Sequence, residues 1–150
     1  MTLVDLRASP PKVLGTVKVG KQPTGIAVSP SGQLALVANR GDGTVSVLKL
    51  DASPVAEIAK IALGKPDSGP SGVVFTPDGK NALVTRDGDH LVSVLKIDGD
   101  KVEEAKRDIS VGWRPYGIIM AAHGRWAAAA MPTRCRSSTS ANSPTAPLRP

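Results

Sequence analysis

The sequence predicts an all-β fold made of tandem four-stranded antiparallel units, and three observations support this. An eight-residue segment recurs at intervals of 47 and 45 residues, as Gly25–Gly32, Gly72–Gly79 and, in a decayed form, Gly117–Gly124. Between the copies lie runs in which apolar residues alternate with polar ones or β-branched residues are continuous. Gly, Pro, Asp or Ser bound each run, which is typical of antiparallel strands and their turns.

The recurring segment predicts the first strand of each unit and the hairpin turn that ends it. The turn reads Pro30-Ser31-Gly32 in one copy and Pro77-Asp78-Gly79 in the next. Proline suits an early turn position, and glycine adopts a positive φ without steric cost. We therefore interpret the segment as a strand and a turn, not as a phosphate-binding loop.

The other three strands of each unit are predicted from runs that match by position. The second-strand runs are Ala35–Asn39, Ala82–Arg86 and Ala127–Met131. The third-strand runs are Val45–Asp51 and Val92–Asp98. The fourth-strand runs are Lys12–Val19, Val55–Leu63 and Lys101–Val111. Near the start, Leu3–Leu6 matches Leu48–Asp51 as a further third strand, so Met1 falls inside a unit.

Four-stranded units of about 40–45 residues, repeated without helices, favour blades packed radially around a channel. The sequence therefore predicts a partial β-propeller with about two complete blades and parts of two more, and other repetitive all-β folds are the alternative. The predicted limits are 1–20 for the end of a blade, 21–64 and 65–112 for two blades, and 113–130 for the start of another.

Three segments of the chain resemble a known family: Val19–Gly32 (VGKQPTGIAVSPSG), Ala35–Asn39 (ALVAN) and Thr44–Leu48 (TVSVL). They are similar to the YVTN-repeat propellers, close in style to the lactonase-type propellers and to the large subunit of methylamine dehydrogenase. The likeness covers nearly all of residues 2–130. It implies a propeller fold but only weakly a chemistry, because members of one fold differ widely in role.

The chain departs from that family in two ways. The resemblance implies a closed ring of seven blades and an export signal, and neither is found in the sequence. We therefore expect the chain to be an incomplete segment. As written it has no signal peptide, which predicts a cytoplasmic location, whereas the resemblance implies a periplasmic or secreted full-length parent.

Residues 131–150 lose the repeat pattern and are rich in Ser, Thr, Ala, Pro and Arg, a composition that predicts disorder. We hypothesise a shifted reading frame, because one base inserted before the Met131 codon restores strand-like alternation. In that frame Cys135 becomes Leu, Met or Val, while Thr139 becomes Asp, Asn, His or Tyr. A natural tail is the alternative, and sequencing the underlying DNA distinguishes the two.

Charge and composition argue against several functions. The net charge is +6, but residues 1–130 contribute only +3, from sixteen basic and thirteen acidic side chains that alternate. We therefore predict no nucleic-acid partner. No run approaches the length of a membrane span. Cys135 is the only cysteine, so residues 1–130 offer no thiol nucleophile and no cysteine-based zinc site.

The sequence predicts no catalytic residue, metal site or cofactor. The only histidines, His90 and His123, align with hairpin turns and are expected to be exposed. Asp87, Asp89 and His90 form a polar loop, with binding of a hard cation through their oxygens as the alternative. The serines of the strands lack the context of a nucleophile, and we expect them to pack within the sheets.

The best binding candidates lie just before the first strand of each blade, where propeller topology places loops at the mouth of the channel. They are Gln22, Thr24, Asp67, Ser68, Trp113, Arg114 and Tyr116. Two functions follow. The first is a scaffold, inactive alone, that binds a small molecule or protein at the mouth. The second is the remnant of a lactonase-like hydrolase or an amine-dehydrogenase-type oxidoreductase. Open blade edges also predict self-association.

Overall fold

The computed structural model describes residues 1–121 and 127–130, which form twelve β-strands. They are β1 (Thr2–Asp5), β2 (Lys12–Thr16), β3 (Pro23–Val28), β4 (Leu34–Asn39), β5 (Thr44–Lys49), β6 (Ala56–Ala62), β7 (Pro70–Phe75), β8 (Asn81–Arg86), β9 (Leu91–Asp98), β10 (Lys101–Ser110), β11 (Gly117–Met120) and β12 (Ala127–Ala130). The described residues contain no helix, so none could cross a bilayer as one.

The strands form four antiparallel sheets, which we number in chain order. Sheet I pairs β1 with β2, sheet II has the order β3-β4-β5-β6, sheet III has the order β7-β8-β9-β10, and sheet IV pairs β11 with β12. Within each sheet, the strands that are adjacent in sequence pair with each other, as in a propeller blade. The predicted fold class is confirmed: the described residues are all-β and form two four-stranded sheets in tandem, flanked by two two-stranded sheets.

The two predicted hairpin turns have the same geometry. Gly32 and Gly79 have φ angles of 74° and 68°. Their backbone N–H groups donate to the carbonyls of Ser29 and Thr76, each at 2.9 Å. A residue with a β-carbon is strained at such a φ, which explains the glycine in both copies.

Sheet I corrects the predicted alignment by one residue. Leu3 lies opposite Gly15 and the pairing then shifts before Val4, as Val47 lies opposite Ala59 and the pairing shifts before Leu48. Leu3 is therefore equivalent to Val47, not to Leu48. A shift of one residue reverses the face on which every side chain lies. The equivalent bulges in the β1–β2 and β5–β6 pairs fix the alignment of β1 with β5, which the short sequence match placed one residue off.

Two apolar clusters hold successive sheets together. The larger lies between sheets II and III and includes the fully buried Leu36, Val47, Val84 and Leu95, with Phe75 at 6% exposure. The smaller joins sheet I to sheet II, and its buried members are Val17, Ala35, Val37 and Leu48. Aliphatic residues supply nearly all of this buried area, as the low aromatic content predicts.

Glycine lets the first strands of successive sheets approach closely. A β-carbon on Gly25 would lie 2.2 Å from the carbonyl oxygen of Ser71 in the next sheet, and one on Gly72 would lie 2.7 Å from that of Tyr116. The Thr24 hydroxyl also donates to the Ser71 carbonyl at 3.1 Å. Backbone therefore packs on backbone along the inner edge of the sheets.

Several predictions fall on residues outside the described part of the chain. They are the turn position of His123, the disorder of residues 131–150 and the frame shift after Ala130, and these stay predictions.

Candidate functional site

One end of the sheets collects the loops in which the sequence predicts binding residues. In an antiparallel sheet of this order, the first and third strands begin where the second and fourth strands end. The loops 17–22, 63–69 and 111–116 therefore share one end with the turns 40–43 and 87–90. We call this the mouth end. Backbone N–H groups tie each turn to the loop beside it, Arg40 to Gln22 O and Asp87 to Gly69 O, both at 3.0 Å.

A single carboxylate at the mouth end links three sheets. Asp87 Oδ2 accepts hydrogen bonds from the guanidinium groups of Arg40 at 2.8 Å and Arg114 at 3.2 Å. The Asp87 side chain is 4% exposed, whereas those of Arg40 and Arg114 are 34% and 43% exposed. Arg40 follows the second strand of sheet II, Asp87 follows the second strand of sheet III, and Arg114 precedes sheet IV. The hydrogen bond to Asp87 raises the pKa of Arg40 above its ordinary value.

The other oxygen of Asp87 is available to a further donor. Asp87 Oδ1 is buried and has no hydrogen-bond partner among the described residues. Buried carboxylate oxygens are normally satisfied by a donor. The bridge therefore has capacity for one more hydrogen bond, from water or from a ligand.

Aromatic side chains flank this bridge. Trp113 is 54% exposed and Tyr116 is 43% exposed. The Arg114 guanidinium lies 5.9 Å from the centre of the Trp113 ring, a cation–π distance. The His90 ring centre lies 6.1 Å from that of Trp113, and His90 Nδ1 accepts a hydrogen bond from the Arg114 backbone N–H at 3.0 Å.

His90 corrects a prediction. It lies in the predicted turn, with a φ of 62°, but it is half-buried rather than exposed. The reason is its position under the loop that carries Trp113 and Arg114. A sequence alignment of repeats places His90 in a turn but does not show which loop from the next sheet covers that turn.

A second ionic cluster lies behind the bridge. The Arg86 side chain, 6% exposed, pairs with Asp108 at 3.1 Å and with Asp89, and it donates to Ser93 Oγ at 3.1 Å. Asp87 and Asp89 thus face arginines, which favours the polar-loop interpretation of this segment over the cation site. Within residues 1–121 and 127–130, no three His, Cys, Asp or Glu side chains are grouped as metal ligands.

Sheet II has a counterpart of that cluster in which an asparagine replaces the arginine. Asn39 stands at the repeat position of Arg86 and donates to Thr44 Oγ1 at 3.0 Å and to Ser46 Oγ at 2.8 Å. Asp42 accepts hydrogen bonds from the Thr44 hydroxyl at 2.7 Å and from the Lys21 backbone N–H at 3.0 Å. Burial raises the pKa of Asp42, but these hydrogen bonds and the charges of Lys60 and Lys21 together hold the pKa below its ordinary value.

Because the pKa of Asp42 is lowered in the folded chain, part of the free energy of unfolding depends on pH. A carboxyl group whose pKa is lower in the folded than in the unfolded chain stabilises the fold at neutral pH, and this contribution is lost as pH falls through the folded-state pKa. We expect Asp42→Asn to be less stable than the parent at pH 7 and to lose less stability than the parent as the solution is acidified. Urea unfolding at a series of pH values measures this, and an unchanged pH dependence would contradict it.

The structure places the other sequence-predicted residues in two groups. Gln22 and Asp67 are exposed at the mouth end. Thr24 donates its hydroxyl hydrogen bond to the next sheet, and Ser68, which is buried, donates to the Leu63 carbonyl. The first pair can reach a ligand directly, whereas the hydroxyls of the second pair are engaged within the fold.

Sequence reasoning missed Arg40 and the bridging part played by Asp87. A signal was present, because Arg40 and Asp87 are 47 residues apart and occupy the same position of the repeat with opposite charges. Their contact across neighbouring sheets follows from the radial arrangement, in which equivalent positions lie side by side.

Solved structures with a similar fold come from several organisms. Hydrazine synthase of Kuenenia stuttgartiensis is 32% identical, with a TM-score of 0.75 over 89% of this chain and 36% of that one. The periplasmic gluconolactonase of Pseudomonas aeruginosa is 19% identical, with a TM-score of 0.66 over 81% and 35%. The Cps50 (Swd1) β-propeller domain of Myceliophteria thermophila is 18% identical, with a TM-score of 0.61 over 79% and 33%.

No protein-family model matches the chain, and no curated protein sequence matches it. The chain spans about a third of the length of the solved structures named above. It has the fold of consecutive β-propeller blades, and lactonases are among the proteins that share this fold.

Proposed function

We propose that the chain is a binding scaffold of the lactonase-type propeller kind, with its ligand at the mouth end. The ligand class that suits the site is a small polyhydroxylated compound, such as a sugar acid or sugar lactone. The observation that supports this most is the Asp87 bridge between Arg40 and Arg114, which stands beside the exposed rings of Trp113 and Tyr116.

The chemistry of the cluster fits such a ligand. Exposed aromatic rings pack against apolar C–H faces, and a polar tip remains for hydrogen bonding. Three arginines (Arg40, Arg86, Arg114) are matched by three aspartates (Asp87, Asp89, Asp108), so the cluster offers many donors and acceptors with little net charge. Hydroxyl groups use both kinds of partner. A convergent set of a few polar groups beside apolar rings is typical of small-molecule sites.

Binding can be measured through Trp113. The chain has two tryptophans, so Trp126→Phe leaves Trp113 as the only indole fluorophore. In that background we expect gluconate to change the fluorescence in a saturable way. Arg114→Gln removes a charged donor and should weaken binding by about tenfold. Arg7→Gln, which changes an arginine that is 96% exposed, is the matched control and should leave binding unchanged.

A folded protein that shows no saturable change, or equal effects of Arg114→Gln and Arg7→Gln, would contradict the proposal. The circular dichroism of each variant establishes that it is folded.

The second candidate is a hydrolase or an oxidoreductase remnant. The fold shared with a gluconolactonase favours the hydrolase. The scaffold proposal expects binding without turnover. Hydrolysis of glucono-δ-lactone by the chain above the spontaneous rate, lost in Asp87→Asn, would favour the hydrolase instead.

A further inference from the structure

The first and last sheets are complementary halves of one blade. The β1–β2 pair of sheet I repeats the register and the bulge of β5–β6, so it supplies third and fourth strands. In sheet IV, Gly117 pairs with Ala130 and Ile118 with Ala129, as Gly25 pairs with Ala38 and Ile26 with Val37 in sheet II. Sheet IV therefore supplies first and second strands.

A comparison of equivalent residues shows that the face of β3 directed towards sheet I is not covered by another sheet. Val73 and Phe75 of β7 face sheet II and are 8% and 6% exposed. Their equivalents on β3, Ile26 and Val28, are 55% and 54% exposed. The difference arises because sheet I, on that side, contributes no first or second strand within the described residues.

The opposite end of the chain has the matching surface. Ile119 is 70% exposed, whereas its equivalents Ala27 and Val74 are half-buried. A β-carbon on Gly117 would meet nothing within 4 Å, in contrast to the close backbone contacts at Gly25 and Gly72. The exposed face of β11 in sheet IV therefore has the apolar side chain and the glycine that, in sheets II and III, pack against the next sheet.

A cavity of about 210 Å³ marks the place where first and second strands would lie beside sheet I. Its lining is largely apolar backbone and side chain: Met1, Pro23, Thr24, Gly25, Ile26 and Val37. An apolar strand of the β11 type fits this position, because β11 presents Ile119 on the side that faces a following sheet.

We propose that a second copy of this chain fills this position. β12 of one copy pairs antiparallel with β1 of the other, and the two halves form one four-stranded blade. The pairing of β4 with β5 gives the register: Met1 opposite Ala130, Thr2 opposite Ala129, Leu3 opposite Ala128 and Val4 opposite Ala127.

Two such contacts close a head-to-tail dimer. The described residues of each copy supply two whole blades and two halves, so two copies complete a ring of about six blades, within the range of four to eight seen in propellers. A head-to-tail contact forms a ring when its rotation closes. The new contact continues the packing already present between sheets II and III, and it pairs the outer edges of β1 and β12, which have no strand neighbour in the described residues.

Directed cross-linking tests the register. In a Cys135→Ser background, mixing Thr2→Cys chains with Ala129→Cys chains should give covalent dimers, since facing residues of paired strands lie within disulfide distance. Each variant by itself should give few covalent dimers. Ala128→Cys replaces Ala129→Cys in the control, because a position shifted by one residue points to the other face of the sheet.

Substitutions at the contact test its energetics. Sedimentation of the parent should show a mass of about twice 15.5 kDa. Ile119→Lys should raise the dimer dissociation constant by at least about tenfold, because it places a charge in an apolar contact. Gly117→Ala should also weaken the dimer, since the added β-carbon meets the backbone of the second copy. Ile58→Lys, at an exposed position of β6 on the edge of sheet II opposite β3, should have no effect.

A parent chain that sediments as a monomer at micromolar concentration, or equal cross-linking at positions 128 and 129, would overturn the proposal. Oligomers larger than a dimer that form through the same cross-link would overturn the closed ring of two copies.

Discussion

Gly25→Ala should destabilise the chain by about 1–3 kcal/mol, and Gly117→Ala should not. The β-carbon introduced at position 25 would lie 2.2 Å from the Ser71 carbonyl oxygen, and this oxygen belongs to a backbone that can move only with sheet III. Gly72→Ala should show an intermediate cost, since its nearest atom is 2.7 Å away. These three glycines occupy the same repeat position, so differences in strand propensity cancel.

Chemical unfolding measures the free energy of unfolding of the three variants. A low protein concentration is needed because the proposed dimer would otherwise contribute to the free-energy change of Gly117→Ala. An alanine in a strand interior loses less conformational entropy than a glycine, so Gly117→Ala is expected to be neutral or up to about 1 kcal/mol more stable. Equal free-energy changes at all three positions would show that the sheets do not approach as described.

Asp87→Asn should cost about 1–3 kcal/mol, the second large effect. The substitution keeps the shape of the side chain but removes the charge that holds Arg40 and Arg114. The full penalty of a broken buried ion pair is not expected, because the two arginine side chains are 34% and 43% exposed and can turn to solvent. Asp67→Asn is the matched control: Asp67 is exposed at the same end, and its loss should change stability by less than about 0.5 kcal/mol.

A double-mutant cycle with Arg114→Gln isolates the contact between sheets III and IV. If Asp87 couples to Arg114, the cost of the double variant should be smaller than the sum of the two single costs. Additive costs would mean that Asp87 acts only within its own sheet.

Sequence patterns predicted most of the fold because they carry local information. Turns such as Pro77–Gly79 and alternating runs such as Leu91–Asp98 determine strands within a few residues. The alignment of Leu3–Leu6 was wrong by one position, since so short a run without a flanking turn contains too little information to fix a register. The bulge that fixes it depends on pairing with Val13 and Gly15.

The candidate site was less predictable because it lies between sheets. The mouth loops and the position of Trp113, Arg114 and Tyr116 followed from the repeat. The contact of Asp87 with Arg40 and Arg114 depends on the angle between neighbouring sheets, and so does the burial of His90. Neither property is local in sequence.

The opposite charges at one repeat position have a consequence for folding. Neighbouring blades with similar sequences are prone to dock in the wrong order, a failure typical of repeat proteins. Docking that skipped sheet III would bring Arg40 beside Arg114 without a carboxylate between them, and the two cations would repel. The native succession places Asp87 between the two arginines and neutralises both charges.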